Sequence, residues 1–273
     1  MTALRVALAG LLAGLLPSLG AAADWDRVLD GVNAEFERGV QARNDEAAAR
    51  QHFYQAAIAY GQLTGQGLFG FGQTPGLRRM EGTSWLLAGD VPRAIHFYHE
   101  GLRLNPDDVQ LLRALEYARS RVLFASPEER AALTPPREEF RGVRLLLRRW
   151  GIWMIAVTNV LAWAALARWV ATRRPLMMAS FALLFILTVV IVVVSMVDHQ
   201  RRQDAESTQI EVLFRAEVLR RGDGRAFLPR REAPLPAGTE VRKIEMRGEW
   251  VQVELADGTA GWLPAASLTV PPR

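Results

Sequence analysis

Two long apolar segments in the second half of the chain are its strongest pattern. Residues Ile152 to Ala167 and Leu176 to Val197 contain no charged side chain. As helices that rise about 1.5 Å per residue, each can cross a hydrocarbon core of about 30 Å once the flanks of the first are included. The pattern predicts transmembrane helices over residues 150–170 and 176–197, joined by a turn at residues 171–175. The alternative is an apolar helical pair in the core of a soluble domain.

Tryptophans flank the first apolar segment. Trp150 and Trp153 precede it and Trp169 follows it, and indole side chains favour the lipid headgroup region. We therefore expect these three residues to be membrane-interface anchors. Because the predicted spans form an antiparallel hairpin, the regions before and after it would lie on one side of the membrane.

The start of the chain resembles a secretory signal peptide. Arg5 precedes the apolar run Val6 to Leu16, and the small residues Ala21 to Ala23 follow it, which predicts a signal peptide over residues 1–23. Both polar regions would then be periplasmic, in a bacterial inner-membrane protein. The arginines near the spans point the other way, because more of them flank the hairpin than occupy its turn, and basic residues favour the cytoplasmic side. We give the signal peptide more weight.

The region 24–125 has the apolar spacing of three and four that is typical of helices. Part of it resembles a tetratricopeptide repeat (TPR), in which small residues let two antiparallel helices approach and aromatic residues fill the remaining space. A Gly-Asp turn joins the helices and Asn105-Pro106 ends the second. The matching residues are Gly82, Trp85, Gly89, Ala94, Tyr98, Gly101 and Pro106. Gly101 stands where the family usually has alanine, a departure that costs helix propensity.

A weaker copy of the repeat lies earlier in the sequence than the one just described. It is carried by Phe36, Gly39, Phe53, Ala56 and Tyr60, with extra residues expected near Asn44 to Arg50. A further helix, Val109 to Val122, has an apolar face suited to close the stack. The expected result is a short α-helical solenoid whose concave surface binds a peptide or protein.

Two polar segments are expected to be linkers, at residues 126–149 and 198–211. After the second, the apolar period changes from 3.6 to 2. Alternating segments at residues 240–246, 250–255 and 259–263 predict strands, and Asp257-Gly258 is a strong hairpin signal. We therefore expect a small all-β barrel over residues 212–273.

The predicted barrel resembles bacterial SH3 domains. The residues that carry this resemblance, or that form a possible ligand groove, are Gly238, Trp250, Asp257, Gly258, Gly261 and Trp262. Both tryptophans have a structural alternative, which is to seal the core of the barrel. No tyrosine follows Tyr117, which argues against the polyproline recognition of eukaryotic SH3 domains.

Composition removes several classes of function. The protein has 273 residues, a formal net charge of +4 and no cysteine, which excludes disulfides, thiol catalysis and cysteine metal sites. Arginines alternate with acidic residues along most of the sequence. It therefore lacks the dense basic surface that would indicate a nucleic-acid partner. We expect contacts with membrane lipids, with proteins or peptides, and with peptidoglycan if the barrel binds the cell wall.

The search for catalytic, metal-binding or cofactor-binding residues yields little. His96 and His99, with Glu100 beside them, could present two imidazoles to zinc, but no third ligand has a recognisable spacing. Ordinary solvent-facing histidines are the simpler interpretation. The glycines between Gly65 and Gly76 lack the lysine of a phosphate-binding loop. We predict no enzyme, no cofactor and no metal site.

The order of these parts resembles the BatE-like family, the E component of the Bacteroides aerotolerance operon. A signal peptide, a TPR, paired spans and a terminal SH3-like domain all match, as does the stretch Leu115 to Arg119. The resemblance implies a non-enzymatic membrane scaffold that acts beside MoxR-type ATPases and proteins with von Willebrand factor A domains, in envelope maintenance or stress tolerance. The alternative is a peptidoglycan-binding module that targets a hydrolase to the cell wall.

Overall fold

The computed structural model describes residues 27–65, 74–135, 141–173, 175–207 and 210–271. Within these ranges the protein forms eight α-helices and one four-stranded antiparallel sheet. They divide into two compact units. The first, here called the head, contains the described residues up to Thr134 together with those from Ile210 onward. The second is a helical pair within residues 135–209. The predicted signal peptide, residues 1–23, lies outside the described residues.

Six helices belong to the head. Helix α1 covers residues 27–41, and the others are α2 (Glu46–Gly65), α3 (Pro75–Leu87), α4 (Val91–Leu104), α5 (Val109–Ser120) and α6 (Pro127–Leu133). Five of these helices begin at a side-chain oxygen that accepts a hydrogen bond from a backbone N–H of the first turn, which satisfies donors that have no partner within the helix. These N-caps are Asp45, Thr74, Asp90, Asp108 and Ser126.

The first helix pair is closed by aromatic packing. The rings of Phe36 and Phe53 meet edge to face at 5.3 Å, and a Cβ on Gly39 would lie 2.7 Å from the ring of Phe53. Glycine at this position therefore lets α1 and α2 approach. The extra residues expected near Asn44 to Arg50 do not form a long loop, because α2 already begins at Glu46.

Helices α3 and α4 pack at a similarly close distance. A Cβ on Gly82 would lie 2.7 Å from the Tyr98 ring and 3.2 Å from the Ala94 carbonyl oxygen. Trp85 and Tyr98 are each 1% exposed and fill the space beside this contact. Gly89, with a φ of 95°, makes the turn between the helices, a conformation that side chains with a Cβ rarely adopt.

The prediction of a linker over residues 126–149 is wrong at its start, where α6 forms. Ser126 accepts a hydrogen bond from the Glu129 N–H at 3.1 Å, and the Glu129 carboxylate accepts one from the Ala125 N–H at 3.0 Å. This is a variant of the capping box in which the carboxylate accepts from the residue before the N-cap, and Pro127 suits the first helical position. Leu133 at the end of α6 is 1% exposed and packs in the core of the sheet. The start of the expected linker is therefore a structural part of the head.

The sheet runs β1 (Ile210–Val212), β2 (Glu240–Arg247), β3 (Trp250–Glu254) and β4 (Ala260–Pro264), all antiparallel and in sequence order. A bulge in β2 lies between Lys243 and Glu245. The predicted strand segments match β2 to β4. Glycines with positive φ occupy both connecting turns, at Gly248 and Gly258.

The second unit consists of α7 (Arg141–Thr172) and α8 (Pro175–Ser207), which pack against each other. Its most apolar stretches, Trp153–Thr172 and Met178–Val197, have mean hydropathies of 1.5 and 2.9. By length and composition, both helices can cross a membrane. Helix α8 continues to Ser207, so most of the expected linker at 198–211 is helical.

A polar contact links the two apolar helices. The Thr188 hydroxyl donates to the Thr158 hydroxyl at 2.9 Å, whereas Asn159 and Ser180 are exposed on the outer surface of the pair. The tryptophans expected as interface anchors lie near the ends of the apolar part of α7. Trp150 and Trp153 are 53% and 65% exposed, and the Arg173 guanidinium lies over the ring of Trp169 at 5.6 Å.

The close approach of α3 and α4 predicts opposite effects for two glycine substitutions. Gly82→Ala is expected to lower the free energy of unfolding by about 1–3 kcal/mol, because the added methyl displaces the buried Tyr98 ring. Gly31→Ala is the matched control, since a Cβ there meets nothing within 4 Å. It should raise stability by about 0.5–1 kcal/mol. Chemical denaturation of the detergent-solubilised protein, followed by near-ultraviolet circular dichroism, measures both. Equal stabilisation by the two would contradict the packing described here.

Candidate functional site

A buried carboxylate joins the helices of the head to its sheet. Glu240, at the start of β2, has a side chain only 3% exposed. The Arg119 guanidinium of α5 donates to both of its oxygens, from Nε and Nη2, at 2.6 Å each. The Nε2 atom of His99 on α4 lies 3.0 Å from Oε2 of Glu240. These three residues are called the Glu240 cluster below.

The electrostatics of this cluster favour an ionised carboxylate. Burial by itself raises the pKa of Glu240, but the charge of His99 and the hydrogen bonds from Arg119 and His99 outweigh it and lower the pKa to about 2. A bidentate guanidinium is the geometry that best compensates a buried carboxylate. The cluster therefore holds α4, α5 and β2 together while Glu240 carries its charge.

Apolar packing also joins the helices to the sheet part of the head. Val212 of β1 is 1% exposed and belongs to the apolar core of the helices. A Cβ on Gly238, whose φ is 92°, would lie 2.8 Å from a methyl carbon of Val122, so glycine is needed where this loop meets the segment after α5. The segment that follows the sheet also takes part, since Arg93 donates to the Pro271 carbonyl at 3.2 Å.

The head is thus one unit. The sequence predicted a helical domain and a barrel separated by linkers and by the hairpin, each with its own docking surface. The shared core and the Glu240 cluster make the two parts a single body. A ligand would meet this combined surface, not two independently moving domains.

A second buried network lies among α2, α3 and α4. Arg78 lies 3.0 Å from the fully buried Glu81 and 3.1 Å from Glu100, and the Thr64 hydroxyl donates to Glu81 at 3.1 Å. Burial raises the pKa of Glu100, but the hydrogen bond from His96 and the charge of Arg78 lower it below its usual value overall. This network crosses the helix stack and binds its layers to one another.

Both histidines of α4 differ from the expected solvent-facing residues. The side chains of His96 and His99 are 18% and 13% exposed. His96 lies 3.4 Å from Glu100 and its ring contacts Phe214 of the sheet part. The spacing of three places each imidazole beside a different carboxylate. Among the described residues, no group of three or more histidine, aspartate or glutamate side chains is arranged to hold a metal ion.

The residues of the predicted repeat lie mostly in the core. Ala94 is fully buried, and Pro106 lies in the exposed turn before α5. A Cβ on Gly101 would lie 2.9 Å from a methyl of Leu111. From the sequence, Gly101 was expected only to lower the helix propensity of α4. In the structure it makes room for α5.

The residues of the predicted barrel motif divide between core and surface. Trp262 is 7% exposed and covered by the Arg247 guanidinium at 5.0 Å, whereas Trp250 is only partly buried. A Cβ on Gly261 would lie 2.5 Å from Leu219, so this position also serves packing. Asp257 and Gly258 form the turn before β4, where the Asp257 carboxylate accepts a hydrogen bond from the Thr259 N–H at 2.8 Å.

Comparison with protein-family models, with curated proteins and with solved structures finds no match to this sequence or its fold.

The sequence interpretation missed the Glu240 cluster. Glu240 was only the first residue of an alternating segment, and Arg119 only part of a stretch that carried a family resemblance. No local signal pointed to the cluster, because strand alternation places Glu240 on the face opposite Val241, whereas both residues are buried in the structure. The choice of Arg119 and His99 as partners, both more than 100 positions away in the sequence, depends on tertiary packing.

Removing the buried charge is expected to destabilise the head strongly. Glu240→Gln should lower the free energy of unfolding by about 3–5 kcal/mol, because the buried ends of Arg119 and His99 lose their anionic partner. The matched control is Glu254→Gln on β3, whose pair with Arg242 is exposed and should be worth at most about 1 kcal/mol. Denaturant unfolding of the full-length protein compares the two. Equal effects would show that the cluster does not hold the head together.

Acid is expected to remove the same contribution. The pKa of Glu240 in the folded protein, about 2, lies below its ordinary value of 4.5, so its stabilisation is present above pH 4.5 and is lost as the pH falls toward 2. By pH 3 the loss should be on the order of 2 kcal/mol. The stability difference between the wild-type protein and Glu240→Gln should therefore shrink between pH 6 and pH 3. A difference independent of pH over this range would contradict the assignment.

Proposed function

We propose that this protein is a non-enzymatic membrane scaffold that presents a single compact head to partner proteins. The observation that carries the proposal is the fusion of helices and sheet through the Glu240 cluster and a shared apolar core. Two buried carboxylates of the head, Glu240 and Glu81, are paired with arginines and hold elements together. The two apolar helices supply the anchor.

The more specific parts of the proposal, namely the type of each domain, the compartment and the partners, come from the sequence resemblances. In this proposal the helix pairs are TPR-like repeats and the sheet is the core of a bacterial SH3-like barrel. The protein is an inner-membrane adaptor with its head in the periplasm, and it acts beside MoxR-type ATPases and proteins with von Willebrand factor A domains. Close helix approach at Gly39 and Gly82 supports the repeat assignment, since both glycines meet aromatic rings of the next helix.

The outer face of α5 is the partner surface that we propose. Val109 and Tyr117 are 48% and 57% exposed, and Arg113, also exposed, lies between them. Positions four apart share a helix face, so these residues form a stripe with an apolar residue at each end and a cation in the middle. Exposed tyrosine and arginine are enriched among residues that dominate binding energy.

Affinity purification from native membranes tests the scaffold. Tyr117→Ala combined with Arg113→Ala should reduce recovery of specific partners at least about tenfold, since each such residue contributes about 1 kcal/mol or more when it is a binding hot spot. Leu123→Ala is the matched control, because Leu123 is 87% exposed and lies outside α5. Near-ultraviolet circular dichroism verifies folding of each variant. Unchanged partner recovery by the α5 variant would contradict the proposed surface.

Binding to the cell wall is the alternative function. It would use the partly exposed Trp250 on β3. Sedimentation of the detergent-solubilised protein with purified sacculi separates the two ideas. Strong sedimentation that is lost in Trp250→Ala, together with an absence of protein partners, would favour the targeting module over the scaffold.

A further inference from the structure

The segment between β1 and β2 folds back on itself as a hairpin. The Arg221 N–H donates to the Leu228 carbonyl at 3.0 Å, and the Arg230 N–H donates to the Leu219 carbonyl at 2.7 Å. These bonds close a loop over residues 221–230, here called the tip loop. Its two ends are fixed to the sheet part, so the loop has a defined conformation before it meets any ligand.

Arg220 fixes the tip loop from inside. Its Nη1 atom donates to the carbonyl oxygens of Arg225 at 2.9 Å and of Phe227 at 3.0 Å. A Cβ on Gly222 would lie 2.6 Å from the Phe227 ring, so one face of that ring rests on glycine backbone.

Two adjacent apolar side chains are exposed in this loop. Phe227 is 49% exposed and Leu228 is 69% exposed. Exposed leucine is common by itself, but a neighbouring aromatic and aliphatic pair on a well-defined loop indicates an interaction site. Neither residue belongs to an apolar core of the head.

Arginines surround this apolar pair. Arg221, Arg225 and Arg230 are exposed, and none has a carboxylate within ion-pair distance among the described residues. The acid of the loop, Asp223, is paired outside it with Arg247 at 3.3 Å. The exposed side chains of the tip loop are therefore mainly apolar or cationic.

This combination fits the surface of an anionic bilayer. Apolar side chains enter the boundary between headgroups and acyl chains, and arginines contact the phosphates. The sequence also keeps the head close to lipid, because β1 begins 13 residues after Val197, the end of the second apolar stretch. Even when fully extended, that segment spans at most about 45 Å.

We propose that the tip loop docks on the anionic membrane in which the protein is anchored. Phe227 and Leu228 lie below the headgroups, and Arg221, Arg225 and Arg230 bind their phosphates. The proposal rests on the membrane anchoring proposed above. Docking would restrict the orientation of the head and so determine which of its faces partners can reach.

The absence of cysteine from the sequence allows a direct test. Leu228→Cys, labelled with an environment-sensitive fluorophore, is reconstituted as the full-length protein in nanodiscs of phosphatidylcholine, alone or mixed with phosphatidylglycerol, that contain a lipid-borne quencher. We expect a blue-shifted emission and strong quenching in the anionic discs, weakened by salt. Leu123→Cys, labelled in the same way, is the control for an exposed residue outside the loop and should show neither change.

A second variant tests the role of the arginines. Arg225→Gln with Arg230→Gln, added to the labelled Leu228→Cys protein, should lower the docking equilibrium constant in anionic discs by about 30-fold. Both positions are exposed and have no carboxylate partner among the described residues, so the head should remain folded.

The outcomes separate this inference from the proposed function. A protein that enters nanodiscs but shows no quenching at position 228, equal quenching in both lipids, or equal quenching at position 123 overturns the docking proposal and leaves the anchor intact. A protein that stays in solution without detergent overturns both the anchor and the docking.

Discussion

The head depends on the compensation of one buried carboxylate. Glu240 comes from the sheet, whereas Arg119 and His99 come from two different helices, so its charge is stable in the interior only when all three elements are in place. Apolar packing at Val212 and Gly238 adds contact area at the same boundary. A buried charge also makes this arrangement specific, because a shifted sheet would leave the carboxylate without its donors.

This constraint changes how the parts of the protein act. Two recognition domains on flexible linkers would bind independently, and linker length would set their joint affinity. In a single head, the partner proposed for α5 and the lipid proposed for the tip loop would contact the same body, so binding of one would restrict the orientation presented to the other. The capping box at Ser126 and the burial of Leu133 strengthen this union, because they bring the segment before the first apolar helix into the head.

Local patterns were sufficient for much of the architecture. The strands around Asp257-Gly258, the turn at Gly89 and the two apolar helices each follow from short-range chemistry: positive φ at glycine, alternation along a strand, and charge-free length. The capping box Ser126 to Glu129 was equally readable but was interpreted as a linker because proline and charged residues surround it. The polar end of α8 was misjudged for a similar reason, since polar composition does not prevent a helix from continuing.

The sequence by itself determined most of the helical segments, the segments that alternate as strands and those apolar enough for a bilayer, because these properties depend on residues within one or two turns of each other. Only the tertiary structure decided that helices and sheet form one head, that His96 and His99 face separate carboxylates, and that Trp262 is covered while Phe227 is exposed. Those outcomes depend on contacts between residues far apart in the sequence. Their energies arise from burial and from the partners that burial brings together, and neither quantity is fixed by local spacing.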